Sequence, residues 1–158
     1  MTWLFVGFLI ASMLHMVEEY FFPGGFMAVM KRMNPAFAPL VNVPMAIVIN
    51  GLQLLLCIVV IFVGVSNLAF SLSAAALLFI NGLMHLGGAV RLKGYAPGVI
   101  TGSVLYIPLA VYSFYYFASS GRLNAGDAAI AVILGILYQL VPLAYFLAVK
   151  LLYRIKSK

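Results

Sequence analysis

This sequence predicts one all-α membrane domain spanning residues 1–158, a polytopic bundle of about five transmembrane helices, on three observations. Hydrophobic residues make up 66% of the chain and charged ones 8%, with a mean hydropathy of +1.17, which is wrong for a water-soluble globule. The apolar runs are about twenty residues long, enough to cross a bilayer as a helix, and lack the two-residue alternation of barrel strands. The basic residues sit in short connections and at the C-terminal end, not along a groove. The net charge of +6 therefore reads as an orientation signal and a lipid contact, and no nucleic-acid partner is expected.

The first helix is expected from about Thr2 to Phe22, stopped by Pro23-Gly24-Gly25. Its apolar run has no basic n-region and no small-x-small cleavage site, so it reads as a membrane span and not as a cleaved leader. Residues 24–42 carry Lys31, Arg32, Pro35 and Pro39 among apolar residues and are too interrupted to span, so a short amphipathic interfacial segment is expected there. The second helix, 43–65, has Pro44 in its first turn and Asn50 and Gln53 on one face. The short Ser66-Asn67 link makes it an antiparallel partner of the third helix, 68–90, which carries Asn81 and His85 four residues apart. Tyr95-Ala96-Pro97-Gly98 is a turn leading into the fourth helix, 99–118, whose closing aromatics from Tyr112 to Phe117 suit a headgroup-level belt. The fifth helix is expected over 128–152.

Counted loop by loop for five helices, eight of the nine basic residues fall on one side and only Arg122 on the other. The positive-inside rule then places the N-terminus outside and the C-terminus in the cytoplasm. The expected location is the cytoplasmic (inner) membrane, of prokaryotic type. Cys57, the lone cysteine, lies inside an apolar run and reads as an inert buried thiol.

The chemistry concentrates in His15-Met16-Val17-Glu18-Glu19, which holds two of the three acidic residues in the chain. At about 100° per residue, Glu18 and Glu19 flank His15 at about 60° and 40°, so the three share a helix face. With about 1.5 Å of rise per residue, His15, Glu19, Asn50, Gln53, Asn81 and His85 fall at similar depth in the cytoplasmic half, with Thr101 nearby and Tyr95 at the mouth. Carboxylates in lipid cost about 2–3 kcal/mol each even on the lenient insertion scale, so they are expected to face a polar pocket or an ion.

His15, Glu18 and Glu19, a further histidine at His85, and Tyr95, Pro97 and Gly98 in a Tyr-x-Pro-Gly motif resemble, in order and spacing, the HXXEE family of small membrane proteins. The resemblance reinforces the choice of residues and implies no activity.

The reading that follows is a metal site of His15, Glu18, Glu19 and His85, zinc first and iron or manganese next. Water activated on such an ion would attack an ester or amide of a lipophilic substrate, with Glu18 or Glu19 as general base and Tyr95 as a substrate-binding or proton-donating hydroxyl. Asn50, Gln53, Asn81 and Thr101 would line the pocket. The spacing is not that of HExxH zincins. The competing structural reading has Glu18 and Glu19 snorkelling to Lys31 or Arg32 and His85 bonding Asn81 across helices. Two other functional readings stand beside the hydrolase: a metal-free proton-transfer isomerase of a sterol-like or isoprenoid lipid, and proton or metal-ion transport. Transport is disfavoured by the absence of an internal repeat and of a polar series toward the outer side. A non-catalytic membrane subunit is the remaining alternative. Membrane lipids are the expected surroundings, and Gly87 and Gly88 offer a face for oligomers.

Overall fold

The computed structural model describes residues 2–33, 35, 38, 41–142, 144–145, 147–148 and 151, and no strand occurs among them. Among the described residues three helical stretches are long and apolar enough to cross a membrane: Thr2–Phe21, Val43–Leu92 and Val99–Ser119. The protein is thus all-helical and of membrane type, as its composition requires.

Helix α1 (Thr2–Phe21) buries one stripe, Leu4, Phe5, Phe8, Ala11, Ser12, His15, Glu18 and Glu19, at the three- and four-residue spacing of a single helix face. The stripe is apolar in its first half and ionisable in its second. The same packing face therefore builds the core at one end and the polar site at the other. Pro23 and two glycines in positive φ, Gly24 and Gly25, end the helix. Helix α2 (Phe26–Met33) follows in the interval expected to be interfacial. Phe26, Val29, Met30 and Met33 line a cavity, while Lys31 and Arg32 are exposed on its other face. Several of the remaining residues of that interval, Pro39 among them, lie outside the described residues.

Helix α3 (Val43–Val63) starts where the Asn42 side chain accepts from the Met45 N–H at 3.0 Å. The stretch from Val43 to Leu92 is broken at a 3₁₀ turn, Gly64–Asn67, entered through Gly64 at φ 56°. Asn67 then caps helix α4 (Leu68–Leu92) by accepting from the Phe70 N–H, and Ser71 donates back to the Gly64 carbonyl. Gln53 and Asn81 line one cavity, as do Leu56 and Leu77. In a straight helix Gln53 and Asn81 would lie about 42 Å apart, so α3 and α4 fold back on each other as an antiparallel pair.

Lys93 in the left-handed region (φ 53°) closes α4, with Gly94 N–H returning to the Ala89 carbonyl. Helix α5 (Val99–Ser119) contains one π turn at Gly102–Tyr106, with the Ile107 N–H reaching back to the Gly102 carbonyl. Pro108, which has no N–H to give, follows immediately, and the widened turn delivers Tyr106 to the site. Helix α6 (Ala125–Gln139) is capped by Asn124 and lies along the small residues early in α4. A Cβ on Gly135 would stand 2.5 Å from that of Ala76, a separation only glycine permits. The expected end of this last helix at Leu152 lies outside the described residues.

Phe5, Phe8, Leu72, Leu78 and Phe117 form the centre of the core, with Phe5 stacked on Phe117 at 6.1 Å. Here the expected aromatic belt is corrected. Phe117 is fully buried, and Phe114 and Tyr116 pack against the core, because α1 presents Phe5 to that turn of α5; Tyr112 and Tyr115 are the exposed members. Cys57 is buried, within 3.5 Å of Ser12 Oγ, as the sequence suggested.

Candidate metal centre

His15 from α1 and His85 from α4 meet with their Nε2 atoms 3.2 Å apart. Glu19, one turn beyond His15, brings Oε1 to 3.2 Å from His85 Nε2 and 3.6 Å from His15 Nε2. His15 and Glu19 are buried, at 2% and 4% exposure, and the His85 side chain is 10% exposed.

The surrounding hydrogen bonds fix which nitrogens carry protons. His85 Nδ1 lies 2.7 Å from the Pro97 carbonyl, which can only accept, so Nδ1 carries the hydrogen. His15 Nδ1 lies 2.7 Å from Thr101 Oγ1, and that hydroxyl gives its own proton to Glu18 Oε2 at 2.5 Å. Thr101 Oγ1 therefore accepts from His15, whose Nδ1 also carries the hydrogen. With both imidazoles neutral, each Nε2 would be a bare lone pair. Two nitrogen lone pairs and a carboxylate oxygen would then converge with no donor among them, an arrangement that a metal ion, or a proton on one Nε2, would balance.

The dimensions fit a metal ion. A tetrahedral ion with bonds of about 2.0–2.1 Å spaces its ligands about 3.3–3.4 Å apart, and the three edges here are 3.2, 3.2 and 3.6 Å. Each imidazole also gives its Nδ1–H to an oxygen, the outer-shell support that metal-binding histidines usually have. The three residues form a group that could hold an ion, their ligand atoms lying within 4.8 Å of one another.

Glu18 is placed elsewhere. Its Oε1 accepts from the Tyr95 hydroxyl (3.1 Å) and Ile100 N–H (3.0 Å), and its Oε2 from Thr101 N–H (2.7 Å) and the Thr101 hydroxyl. The Ile100 and Thr101 N–H groups are free donors of the α5 N-terminus, where the helix dipole also favours an anion. The adjacent glutamates thus diverge, Glu19 toward the imidazoles and Glu18 toward α5. The geometry sets Glu18 apart from the ligand group in which the sequence reading had included it.

Tyr95 is likewise outside the cavity lining, because its hydroxyl is turned onto Glu18. Desolvation, the hydrogen bond to Glu18 and that carboxylate's charge push the Tyr95 phenol up to about 12, so it stays a neutral donor. Thr101 does not line the cavity either; it sits between Glu18 and His15. Asn50, Gln53 and Asn81 do line it. Asn50 bonds Tyr20, and Gln53 donates to Ser12 Oγ and to the Tyr106 hydroxyl at 2.7 Å. Asn81 Oδ1 is buried without a partner. Gly88 packs within the chain, near Ala96 and Met33.

Gly98 explains the Tyr-x-Pro-Gly turn. At φ 90°, it lies where an added Cβ would stand 2.6 Å from the His85 ring and 2.7 Å from that of His15. Both imidazoles close over the bare backbone of this residue, and the preceding Pro97 supplies the carbonyl that holds His85. The sequence reading missed Tyr106, whose ring packs on His15 with centroids 4.3 Å apart. Its signal was there in Pro108, the residue that follows the widened turn.

A cavity of about 530 Å³ abuts the centre and is lined by His15, Glu19 and His85 together with residues of α2, α3, α4 and α6. Its walls are mostly apolar, with Met30, Met33, Met45 and Met84 among them.

No curated protein and no solved structure matches this chain. Residues 6–113, more than half of the chain, match the family model described as a protein of unknown function with HXXEE motif. The His15, Glu18 and Glu19 side chains described above are that motif, and the chain belongs to the HXXEE family.

Proposed function

We propose that this protein is an intramembrane metal-dependent enzyme of hydrolase type, with a divalent transition metal, zinc first, held by His15, Glu19 and His85. The observation that carries the proposal is the convergence of the site: two imidazoles whose Nδ1–H groups are taken by Thr101 and Pro97 turn both Nε2 atoms and Glu19 Oε1 toward one point, at the corners of a tetrahedral face. A bound zinc ion supplies Lewis acidity toward an ester or amide carbonyl and toward water. Thr101 and the Pro97 carbonyl hold the imidazole planes, the Tyr106 ring backs His15, and Glu19 offsets part of the ion's charge. The apolar walls accept a lipophilic substrate and exclude bulk water. Glu18 serves this site as the anchor of the α5 N-terminus, in place of the ligand or base role first assigned to it.

The proposal includes five spans in a cytoplasmic membrane, with N-terminus outside, C-terminus inside and the site in the inner half, supported by the charge distribution and the break at Gly64–Asn67. A C-terminal reporter active only outside the cytoplasm would overturn that orientation.

The direct test is metal analysis of purified, folded protein. One equivalent of zinc is expected, lost in His15→Ala, Glu19→Ala and His85→Ala but retained in Asn50→Ala. Intact protein that neither carries nor takes up metal would instead mean that a proton bridges the same three atoms. That outcome transfers the site to proton-transfer chemistry, which deuterium uptake from solvent into an added alkene lipid would reveal.

A further inference from the structure

The cavity beside the centre is walled unevenly. Three of its lining residues, Leu52 of α3, Met84 of α4 and Val141 just beyond α6, are also exposed, at 48%, 54% and 37%. A side chain that lines a cavity and also stands open to the surroundings marks the rim of an opening. Leu55 and Leu83, which follow on the outer sides of α3 and α4, are apolar and exposed as well.

The level of this rim follows from helix rise. Leu52 is nine residues from the start of α3 at Val43, and Met84 is eight residues from the end of α4 at Leu92. Because the two helices are antiparallel, these ends lie on the same side, and at about 1.5 Å per residue both rim residues stand about 12–13 Å in from it. His85, seven residues from Leu92, is about 10 Å in. The opening is therefore level with the centre. In a bilayer crossed by these helices, that depth lies within the hydrocarbon layer of about 30 Å, where the surroundings are acyl chains.

The end of the cavity nearest Lys31 and Arg32 is closed by contrast. Val41, Met45 and Ala46 are buried at the start of α3 and form an apolar cluster against which Phe26 and Met30 of α2 pack. Met45, Ala46, Phe26 and Met30 also line the cavity, so this cluster is its end wall. A solute arriving from water would have to part that wall. A chain arriving from the membrane at the level of Leu52 meets no such barrier. It gains no hydrophobic free energy on entry, since lipid is equally apolar, but it gains close dispersion contact with the methionine and leucine side chains of the lining.

We infer that the cavity is entered sideways from the bilayer, through the opening at Leu52 and Met84, and that its occupant is a hydrocarbon chain of a membrane lipid. The inference deepens the reading of the site as one for a lipophilic substrate. It rests on the bundle crossing a bilayer, and it stands whether the centre holds a metal or a proton.

The test is photolabelling of the protein in phosphatidylcholine nanodiscs doped with a phosphatidylcholine that carries a diazirine in the middle of one acyl chain, with adducts located by mass spectrometry. Adducts are expected inside the cavity, on the buried lining residues Leu77 and Met45, as well as on the exposed Phe62 of α3. Leu52→Trp and Met84→Trp each narrow the opening from an exposed position and should lower the cavity adducts about tenfold, with labelling of Phe62 unchanged. Leu52→Phe and Met84→Phe apply the same test should the larger side chain disturb folding. Wild-type adducts confined to exposed residues, or cavity adducts undiminished in the narrowed variants, would overturn the inference. Zinc analysis of the same samples reports separately on the centre: cavity labelling without zinc counts against the metal alone, and zinc without cavity labelling against the opening alone.

Discussion

Replacing Glu18 with glutamine separates the two glutamates of the motif more sharply than any other change. Each carboxylate oxygen of Glu18 accepts two hydrogen bonds, from Tyr95 and Ile100 on one side and from the backbone and hydroxyl of Thr101 on the other. An amide keeps one acceptor and turns an NH2 toward the other pair of donors, so two bonds are lost in either orientation. At about 1.5 kcal/mol or more for each bond to a charged group, Glu18→Gln should cost about 3 kcal/mol of stability. A second effect follows at the metal centre. In the orientation that turns the NH2 toward Thr101, the hydroxyl is free to donate to His15 Nδ1, which moves the His15 proton to Nε2 and removes that lone pair from the ligand set. Zinc affinity should fall about 10- to 100-fold, the usual effect of disturbing an outer-shell partner. Thr101→Val should reproduce the loss of affinity with less loss of stability, since the backbone bonds to Glu18 remain, and Thr101→Ser should restore both. Glu19→Gln should show the reverse pattern, with metal lost and the fold little changed. Chelator competition for zinc and denaturant titration of the same samples measure the two quantities. Wild-type affinity together with wild-type stability in Glu18→Gln would refute the assignment of Glu18 as the anchor of α5 and of the His15 tautomer.

Three further outcomes are expected. Gly98→Ala combines a strained positive φ with a Cβ inside the contact distance of both imidazoles; it should cost about 2 kcal/mol or more and abolish zinc uptake, read by thermal unfolding and metal analysis. Tyr95→Phe removes one hydrogen bond to Glu18 and should cost about 1 kcal/mol with zinc retained. Because the folded state raises the Tyr95 pKa to about 12, that contribution is complete below the ordinary tyrosine value near 10 and is lost as pH rises through about 12, so the stability difference between Tyr95→Phe and wild type should close only in that alkaline interval. Zinc must displace the proton that otherwise balances the three converging acceptors, so binding should release about one proton and weaken as pH falls, measurable by calorimetry in buffers of different ionisation enthalpy.

Much of this arrangement was legible in the sequence because it is encoded locally. The spacing of His15, Glu18 and Glu19 put them on one face, and α1 buries all three on a single stripe. That His85 lies level with His15 followed from counting helix rise, and Ser66-Asn67 marked the reversal between α3 and α4. The divergence of Glu18 from Glu19 was not legible. Both sit on the buried stripe, and only the position of the α5 N-terminus, set by the Lys93 to Gly98 connection, decides which carboxylate meets amide donors and which meets imidazoles. Thr101 looked like a pocket residue for the same reason, whereas the structure uses it to connect Glu18 with His15. The aromatic run ending α5 read as a belt because composition cannot tell which turn faces Phe5. Tyr106 owes its place under His15 to a π turn, a departure from regular helix that apolar periodicity does not reveal.

X-ray absorption at the zinc edge of the purified, zinc-loaded protein tests the central claim most directly. Two imidazole nitrogens and at least one oxygen at about 2.0–2.1 Å are predicted, with one imidazole contribution missing in His15→Ala and in His85→Ala. A spectrum without imidazole scattering, or one unchanged by either substitution, would contradict the account.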